Sequence, residues 1–302
     1  MQDPWSLYWQ ADCLDSCVVT KSKEDSLAIA AFWEQLAMQL EDGAEVLDLA
    51  TGNGTVAAAL LNANDSLQVT GVDRASIDPL QFLSEPGVLA KARFQASVDI
   101  CDLPFGDASF DAVTSQFGLE YAPLKQAIPE LLRVAGRECR IQLLIHNADS
   151  EIVVPSRLKR EEMEALLADG GVVPTLRAFL EGEKNIDALE AAGQAHLSSA
   201  VRRTAPVSGQ IFEGVNRVIT SANKGDMRAA NELCDGMTMR LSADRDRLRQ
   251  LDNAAMDEGR FQEVVKMLEN TGARTDVATT LCASDRTDDE HLIGWQYCGV
   301  TS

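Results

Sequence analysis

The run Val46-Leu47-Asp48-Leu49-Ala50-Thr51-Gly52-Asn53-Gly54 leaves the chain few folds to choose from, because an apolar strand enters a glycine turn that must open a helix. Such a turn brings bare backbone N–H groups against a ligand. Leu67-Gln68-Val69-Thr70-Gly71-Val72-Asp73 forms a second strand that ends in an acid 19 residues after Gly54. A carboxylate there accepts two hydrogen bonds from ribose hydroxyls, so the pair reads as a nucleoside site at the carboxyl edge of a parallel sheet. Gly52-Asn53-Gly54-Thr55-Val56-Ala57 also fits the dinucleotide pattern G-x-G-x-x-G/A. On these residues alone a nicotinamide dehydrogenase stays open.

Downstream, Val98-Asp99-Ile100-Cys101-Asp102-Leu103-Pro104-Phe105 puts an acid on a loop after a third strand, and Ser109-Phe110-Asp111-Ala112-Val113 enters a fourth. In this order and spacing the three blocks resemble the class I S-adenosylmethionine-dependent methyltransferases, within the small-molecule branch that carries a D-x-x-x-LPF loop. The likeness covers residues 44 to 147 well and 258 to 299 more loosely. It implies an α/β, Rossmann-like seven-stranded sheet, mostly parallel with an antiparallel last strand, and S-adenosylmethionine as cofactor. By that resemblance Gly52, Asn53 and Gly54 pass under the methionine end, and Asp48 orients the methionine ammonium. Asp73, with Arg74 beside it, holds the ribose, while Asp99 and Ile100 face the adenine. Ala50 stands where many family members have their first glycine; alanine tolerates close approach but not a positive φ.

Composition excludes several other classes. A chain of 302 residues, 45% hydrophobic, can bury one large core or two modest ones. No stretch approaches the roughly 18 apolar residues of a membrane span, and no basic-then-apolar leader opens the chain, so a cytoplasmic protein is expected. Seven cysteines scattered along the chain suit reduced, buried thiols, and no Cys or His cluster completes a metal site, so none is expected. Lys and Arg total 27 against 47 Asp and Glu, a formal charge of −20, which repels polyphosphates. Nucleic acid is therefore not the expected partner; the basic runs Arg157-Leu158-Lys159-Arg160 and Arg202-Arg203 read as solvated helix faces.

Four segments follow. Residues 1–43 carry an aromatic cluster, Trp5, Tyr8 and Trp9, and then a helix capped by Ser26, with Ile29, Phe32, Trp33, Leu36 and Leu40 at helical spacing. Residues 44–150 form the cofactor-binding core, with a short helix near Ile77–Phe82, an edge strand at 92–96, a fourth strand at 112–117, a helix from Pro123 and a fifth strand at 140–146. Residues 151–255 read as a helical insertion between the fifth and sixth strands. Its helices are marked by Ile186 to Val201, Ile211 to Ile219 and Met227 to Leu241, punctuated by Pro155, Pro174, Pro206 and Gly170-Gly171. Residues 256–302 supply the last helix, capped by Gly272, and a hairpin of strands at 275–282 and 291–298 closed by the polar loop 285–289. A dehydrogenase sheet does not usually close this way, which weighs against the nicotinamide rival.

Methyl transfer from a sulfonium chiefly requires that the acceptor be positioned and water excluded. Loops after the fourth and fifth strands face the methyl group in the resembling fold, which singles out Gln116 on the cofactor side and His146, Glu120 and Tyr121 for catalysis. His146 can take a proton from a hydroxyl or amine, and Glu120 can bind a cationic acceptor. Tyr8, Trp9 and Phe117 are the expected walls of the substrate pocket, and the insertion is expected to cap it, with homodimer contact as its competing role. His196 reads as a packed residue of the insertion. The leading expectation is methyl transfer to an O or N atom of a small molecule. The alternatives are a cofactor-binding sensor or assembly partner without transferase activity, and a protein methyltransferase.

Overall fold

The computed structural model describes residues 3–11, 13–14, 23–199, 207–284 and 290–302. They divide into two compact units, Met1–Val153 with Asn253–Ser302, and Val154–Asp252.

The first unit opens with α1 (Pro4–Trp9) and α2 (Lys23–Ala37). Ser26 lies inside α2 and does not cap it, because the helix already includes Lys23, with Glu24 and Asp25 as the acids of its first turn. The helix ends at Ala37, short of Leu40. A parallel series follows: β1 (Glu45–Leu49), α3 (Thr55–Ala63), β2 (Gln68–Val72), α4 (Pro79–Phe82), β3 (Arg93–Gln95), β4 (Phe110–Gln116), α5 (Leu124–Val134) and β5 (Ala135–Ile145). After the second unit the chain returns as α11 (Glu258–Thr271), β6 (Ala273–Ser284) and β7 (Glu290–Thr301). The loop expected at 285–289 lies outside the described residues.

The seven strands run in the order β3-β2-β1-β4-β5-β7-β6. All neighbours are parallel except β5 with β7 and β6 with β7, so the antiparallel closure expected at the C-terminal end is present. Central strands are buried almost throughout, as required when helices cover both faces. Leu47, Leu49, Val113, Ile128, Leu131, Ile141, Leu143, Phe261 and Leu268 form one continuous core with Tyr297. Strand order reverses between β1 and β4, and this crevice at the carboxyl ends is where an open α/β sheet binds its ligand.

The chain leaves the sheet and re-enters it at one place. Met256 N–H donates to His146 O at 2.8 Å, Ala148 N–H donates to Met256 O at 3.0 Å, and Asn147 bridges Met256 in parallel. Trp295 Nε1 donates to the same Met256 carbonyl at 2.9 Å.

The second unit carries α6 (Val153–Leu167), α7 (Val172–Leu180), α8 (Ile186–Ser198), α9 (Val207–Asn223) and α10 (Met227–Ala254). The sequence announced α8, α9 and α10 but neither α6 nor α7. Pro155 and Pro174, read as breaks, lie in the first turns of these helices, where a missing N–H costs no intrahelical bond. Ala200, Val201, Arg202 and Arg203 fall outside the described residues. Leu166, Leu176, Ala230 and Cys234 centre this unit's own core. Arg157 and Arg160 of α6 both pair with Asp252, so the basic run is largely neutralised within the unit. Glu162 is fully buried and accepts the N–H groups of Val207 (3.1 Å) and Ser208 (3.0 Å), together with the Ser208 hydroxyl. His196 Nε2 lies 2.8 Å from the same hydroxyl, a packed residue as its helix stripe implied.

Candidate active site

The turn between β1 and α3 is left-handed at three residues: Ala50 (φ +54°), Gly52 (φ +54°) and Gly54 (φ +90°). Ala50 therefore corrects the expectation that it would avoid positive φ. The turn needs that conformation here, and a methyl group is the smallest side chain to bear it. Gly54 heads α3, and the Gly52 N–H donates to Asp73 Oδ2 at 2.9 Å. Ala75 N–H donates to Asp73 Oδ1 at 2.8 Å, so both oxygens are oriented by backbone and each retains a lone pair for a hydroxyl. Burial raises the Asp73 carboxyl above its ordinary range, against the lowering effect of the two N–H groups.

Asp48 lies beneath this turn, buried between two threonines. Thr51 Oγ1 donates to Oδ2 at 2.6 Å and Thr114 Oγ1 to Oδ1 at 2.9 Å. Burial pushes its carboxyl up to about 7, with the hydroxyl bonds acting in the opposite direction. Sequence reasoning missed both threonines. Thr51 had a local signal, three residues after the acid within a turn; Thr114 is its partner only through the register of β1 and β4.

The N-terminal segment runs over the turn. Asn53 Nδ2 donates to Trp9 O (3.1 Å) and Cys13 O (2.7 Å), and Thr55 Oγ1 donates to Leu14 O (2.9 Å). Trp9 rests on Gly52 so closely that a Cβ there would meet its ring at 2.2 Å. The face expected to pass beneath a methionine end is thus covered by an indole, and a ligand takes that face only with the ring displaced. Asn53 Oδ1 is buried with no partner among the described residues, an acceptor suited to a ligand's amino group. Arg74 and Asp99 are exposed, Ile100 is buried, and Asp99 Oδ1 accepts the Cys101 N–H at 2.9 Å. Gln116 Oε1 accepts from Trp33 Nε1 at 2.6 Å, which ties the end of β4 to α2.

Beside the turn, the loops after β4 and β5 bring three candidates together. Glu120 and His146 are buried, and Glu120 Oε1 takes both the His146 backbone N–H (2.9 Å) and Nδ1 (2.7 Å). Glu120, suggested by the sequence as a seat for a cation, holds the histidine through Oε1. A hydrogen on Nδ1 would give Glu120 Oε1 a second donor beside the backbone N–H. Tyr121 stands edge-on to His146 at 5.9 Å and to Trp5 at 5.4 Å, and Phe117 lies against the imidazole at 4.4 Å. Tyr8 meets Trp5 and Trp9 edge-on, which extends the aromatic wall.

A family model described as a methyltransferase domain matches residues 46–137, the stretch that carries the glycine turn, Asp73, Asp99 and Glu120. The chain resembles the demethylmenaquinone methyltransferase of Thermotoga maritima, 37% identical over 101 residues that cover 33% of this chain and 42% of that protein. It also resembles the chloroplastic 2-phytyl-1,4-beta-naphthoquinone methyltransferase of Arabidopsis thaliana, at 28% identity over 51% of this chain and 60% of the relative. The chain spans about half the length of the curated relatives it matches. A crystal structure of a SAM-dependent methyltransferase from Aquifex aeolicus aligns over 93% of this chain and 97% of its own, with 12% identity and a TM-score of 0.44. The cofactor of this family is S-adenosylmethionine. The residues present suit it in kind: a buried acid with spare lone pairs at Asp73, a buried acid poised to ionise at Asp48, and an unpartnered acceptor on Asn53.

Among the described residues no helix is long and apolar enough to cross a membrane, and no group of three or more His, Cys, Asp or Glu is placed to hold a metal.

Proposed function

We propose that the protein transfers a methyl group from S-adenosylmethionine to a planar, hydroxylated small molecule, with His146 as general base. The observation that carries this reading is the buried Glu120–His146 pair, joined at Nδ1 and walled by Phe117 and Tyr121 beside the glycine turn. Asp73 would hold the ribose, Asp48 the ammonium group, and the Asn53 amide a further polar group; bound there, S-adenosylmethionine supplies an electrophilic methyl. The chain's own work is to bind and aim the acceptor and to take its proton. Glu120 fixes the imidazole tautomer and stabilises the imidazolium that forms when Nε2 accepts that proton. Aromatic walls suit a flat ring.

One relative is named for demethylmenaquinone and another for 2-phytyl-1,4-beta-naphthoquinone, and one from Geotalea daltonii is named as a ubiquinone/menaquinone biosynthesis C-methyltransferase. Deprotonating a ring hydroxyl raises electron density both at oxygen and at ring carbons, so one base supports attack from either atom. The O or N acceptor expected from sequence is thereby widened to include carbon. A cap over the acceptor, the role expected for residues 151–255, belongs to the same proposal. Excising residues 154–252 should then abolish acceptor turnover and leave cofactor binding.

The test supplies purified protein with labelled cofactor and 1,4-dihydroxynaphthalene, and locates the methyl by NMR. His146→Ala should lower turnover by about 10²–10⁴-fold while cofactor affinity is kept. Unchanged turnover in that variant would remove His146 from the mechanism. Cofactor binding with no transfer to any fraction of a metabolite extract would favour a cofactor-binding sensor.

A further inference from the structure

The segment that carries Asp99 is tied to Asp73 by backbone. Asp73 N–H donates to Gln95 O at 3.1 Å, and Val98 N–H donates to Asp73 O at 2.9 Å. Asp102 N–H then donates to Asp99 O at 3.0 Å, a turn that delivers the chain to Leu103-Pro104-Phe105. Ile100 and Leu103 sink into the core, and Phe105 stands edge-on to Phe110 at 5.0 Å. Apolar burial is non-directional, so these contacts seat the loop without choosing where its backbone groups point.

That choice is made from α5. Arg133, in the last turn of the helix, meets Glu130 through two bonds, Nε to Oε2 at 2.8 Å and Nη2 to Oε1 at 2.7 Å. Nη1 donates to Phe105 O at 2.9 Å and to Asp107 Oδ1 at 2.7 Å, and Nη2 donates to Leu103 O at 3.2 Å. All five N–H donors of the guanidinium are thereby used. Glu130 Oε1 in turn accepts the Leu103 N–H at 2.7 Å, and Ala108 N–H donates to Arg133 O at 2.9 Å. The guanidinium beside Glu130 holds its carboxyl below the ordinary range, which keeps it an acceptor for Leu103. A lysine ammonium, with three donors and no fork, cannot serve two carboxylates and two carbonyls together.

We propose that Arg133 is a positioning residue for the cofactor: with Glu130 it fixes the backbone of residues 103–107, and through that loop it sets where Asp99 stands beside Asp73 and how strictly the acid selects an adenine base. The effect on the base rests on the reading that Asp99 faces the adenine; the effect on the loop does not.

The test compares by calorimetry S-adenosylhomocysteine with S-inosylhomocysteine, in which a carbonyl oxygen replaces the adenine amino group. A carboxylate accepts from an amino group and repels a carbonyl oxygen, so the unaltered protein should prefer the adenosyl compound by about 10-fold or more. Arg133→Ala should weaken that compound by about 10–100-fold and bring the preference to within about twofold, with faster hydrogen exchange at the Leu103 amide. Arg133→Lys, which keeps the charge and stands in should the alanine variant fail to fold, should change in the same direction. A loss of stability alone would lower the folded fraction and leave the preference intact. Full preference in the folded variants overturns the proposal, as does unchanged exchange at Leu103. If the unaltered protein shows no preference and Asp99→Ala binds as tightly, the reading of the base fails; faster exchange at Leu103 in the arginine variants then upholds the clamp on the loop.

Discussion

Each unit of this molecule buries a carboxylate that holds two backbone N–H groups, and the two acids differ in what is left over. Asp73 binds Gly52 and Ala75 at the mouth of the sheet and keeps lone pairs for a ligand. Glu162 binds Val207 and Ser208, and the Ser208 hydroxyl, itself against His196, also donates to it. The local chemistry is the same. An acid at a strand end facing a crevice is placed to meet a ligand, whereas an acid enclosed among helices is a fastener for the first turn of one of them.

The sharpest way to break that distinction is Asp73→Ala. Loss of two charge-assisted hydrogen bonds to a ribose should weaken cofactor binding by roughly 3–6 kcal/mol, read by calorimetry. A variant that binds as well as wild type would place the nucleoside elsewhere.

Asp48 gives the next largest effect, and one that depends on pH. Unfolded, its carboxyl titrates at 3.8; folded, at about 7. Between these values the folded state holds a proton that the unfolded state lacks. Its contribution to stability is therefore full below pH 3.8 and lost as the pH rises through 7, on the order of 4 kcal/mol in all. Denaturant titrations from pH 4 to 8 should show this slope, and Asp48→Asn should flatten it. An ammonium bound beside Asp48 favours the ionised form, so cofactor affinity should rise over the same interval.

Glu162→Ala tests the other side of the comparison. Two buried N–H groups and a hydroxyl would lose their acceptor, which should destabilise the helical unit by about 3 kcal/mol and leave cofactor affinity unchanged. Equal losses of affinity in the Asp73 and Glu162 variants would erase the contrast. The smallest effect is expected from Ala50→Gly, which relieves a left-handed alanine and should stabilise the first unit by about 1 kcal/mol in thermal melts.

The same contrast separates what could be read in the sequence from what could not. Strands β1, β2, β4 and β5 were legible because burial on both faces writes them as apolar runs, and Gly52, Gly54 and Asp73 because a glycine turn after one strand and an acid at the end of the next keep a fixed spacing. His146 and Glu120 were each visible as residues that could act. Their union was not, because 26 residues separate them and only the pairing of β4 with β5 brings them together. In the second unit α6 and α7 were obscured by prolines that mark beginnings as readily as ends. Glu162 left no sign at all, since its partners lie 45 and 46 residues away across packed helices.

The backbone ties between His146, Ala148 and Met256 give the long excursion a single address. The 99 residues between Val153 and Asn253 leave and return beside this clasp, and the entropy of closing a loop grows slowly with its length. A longer or shorter excursion would thus change the entropy of its closure little. Because the histidine proposed as the base belongs to the clasp, a splice placed there would be made directly beside it.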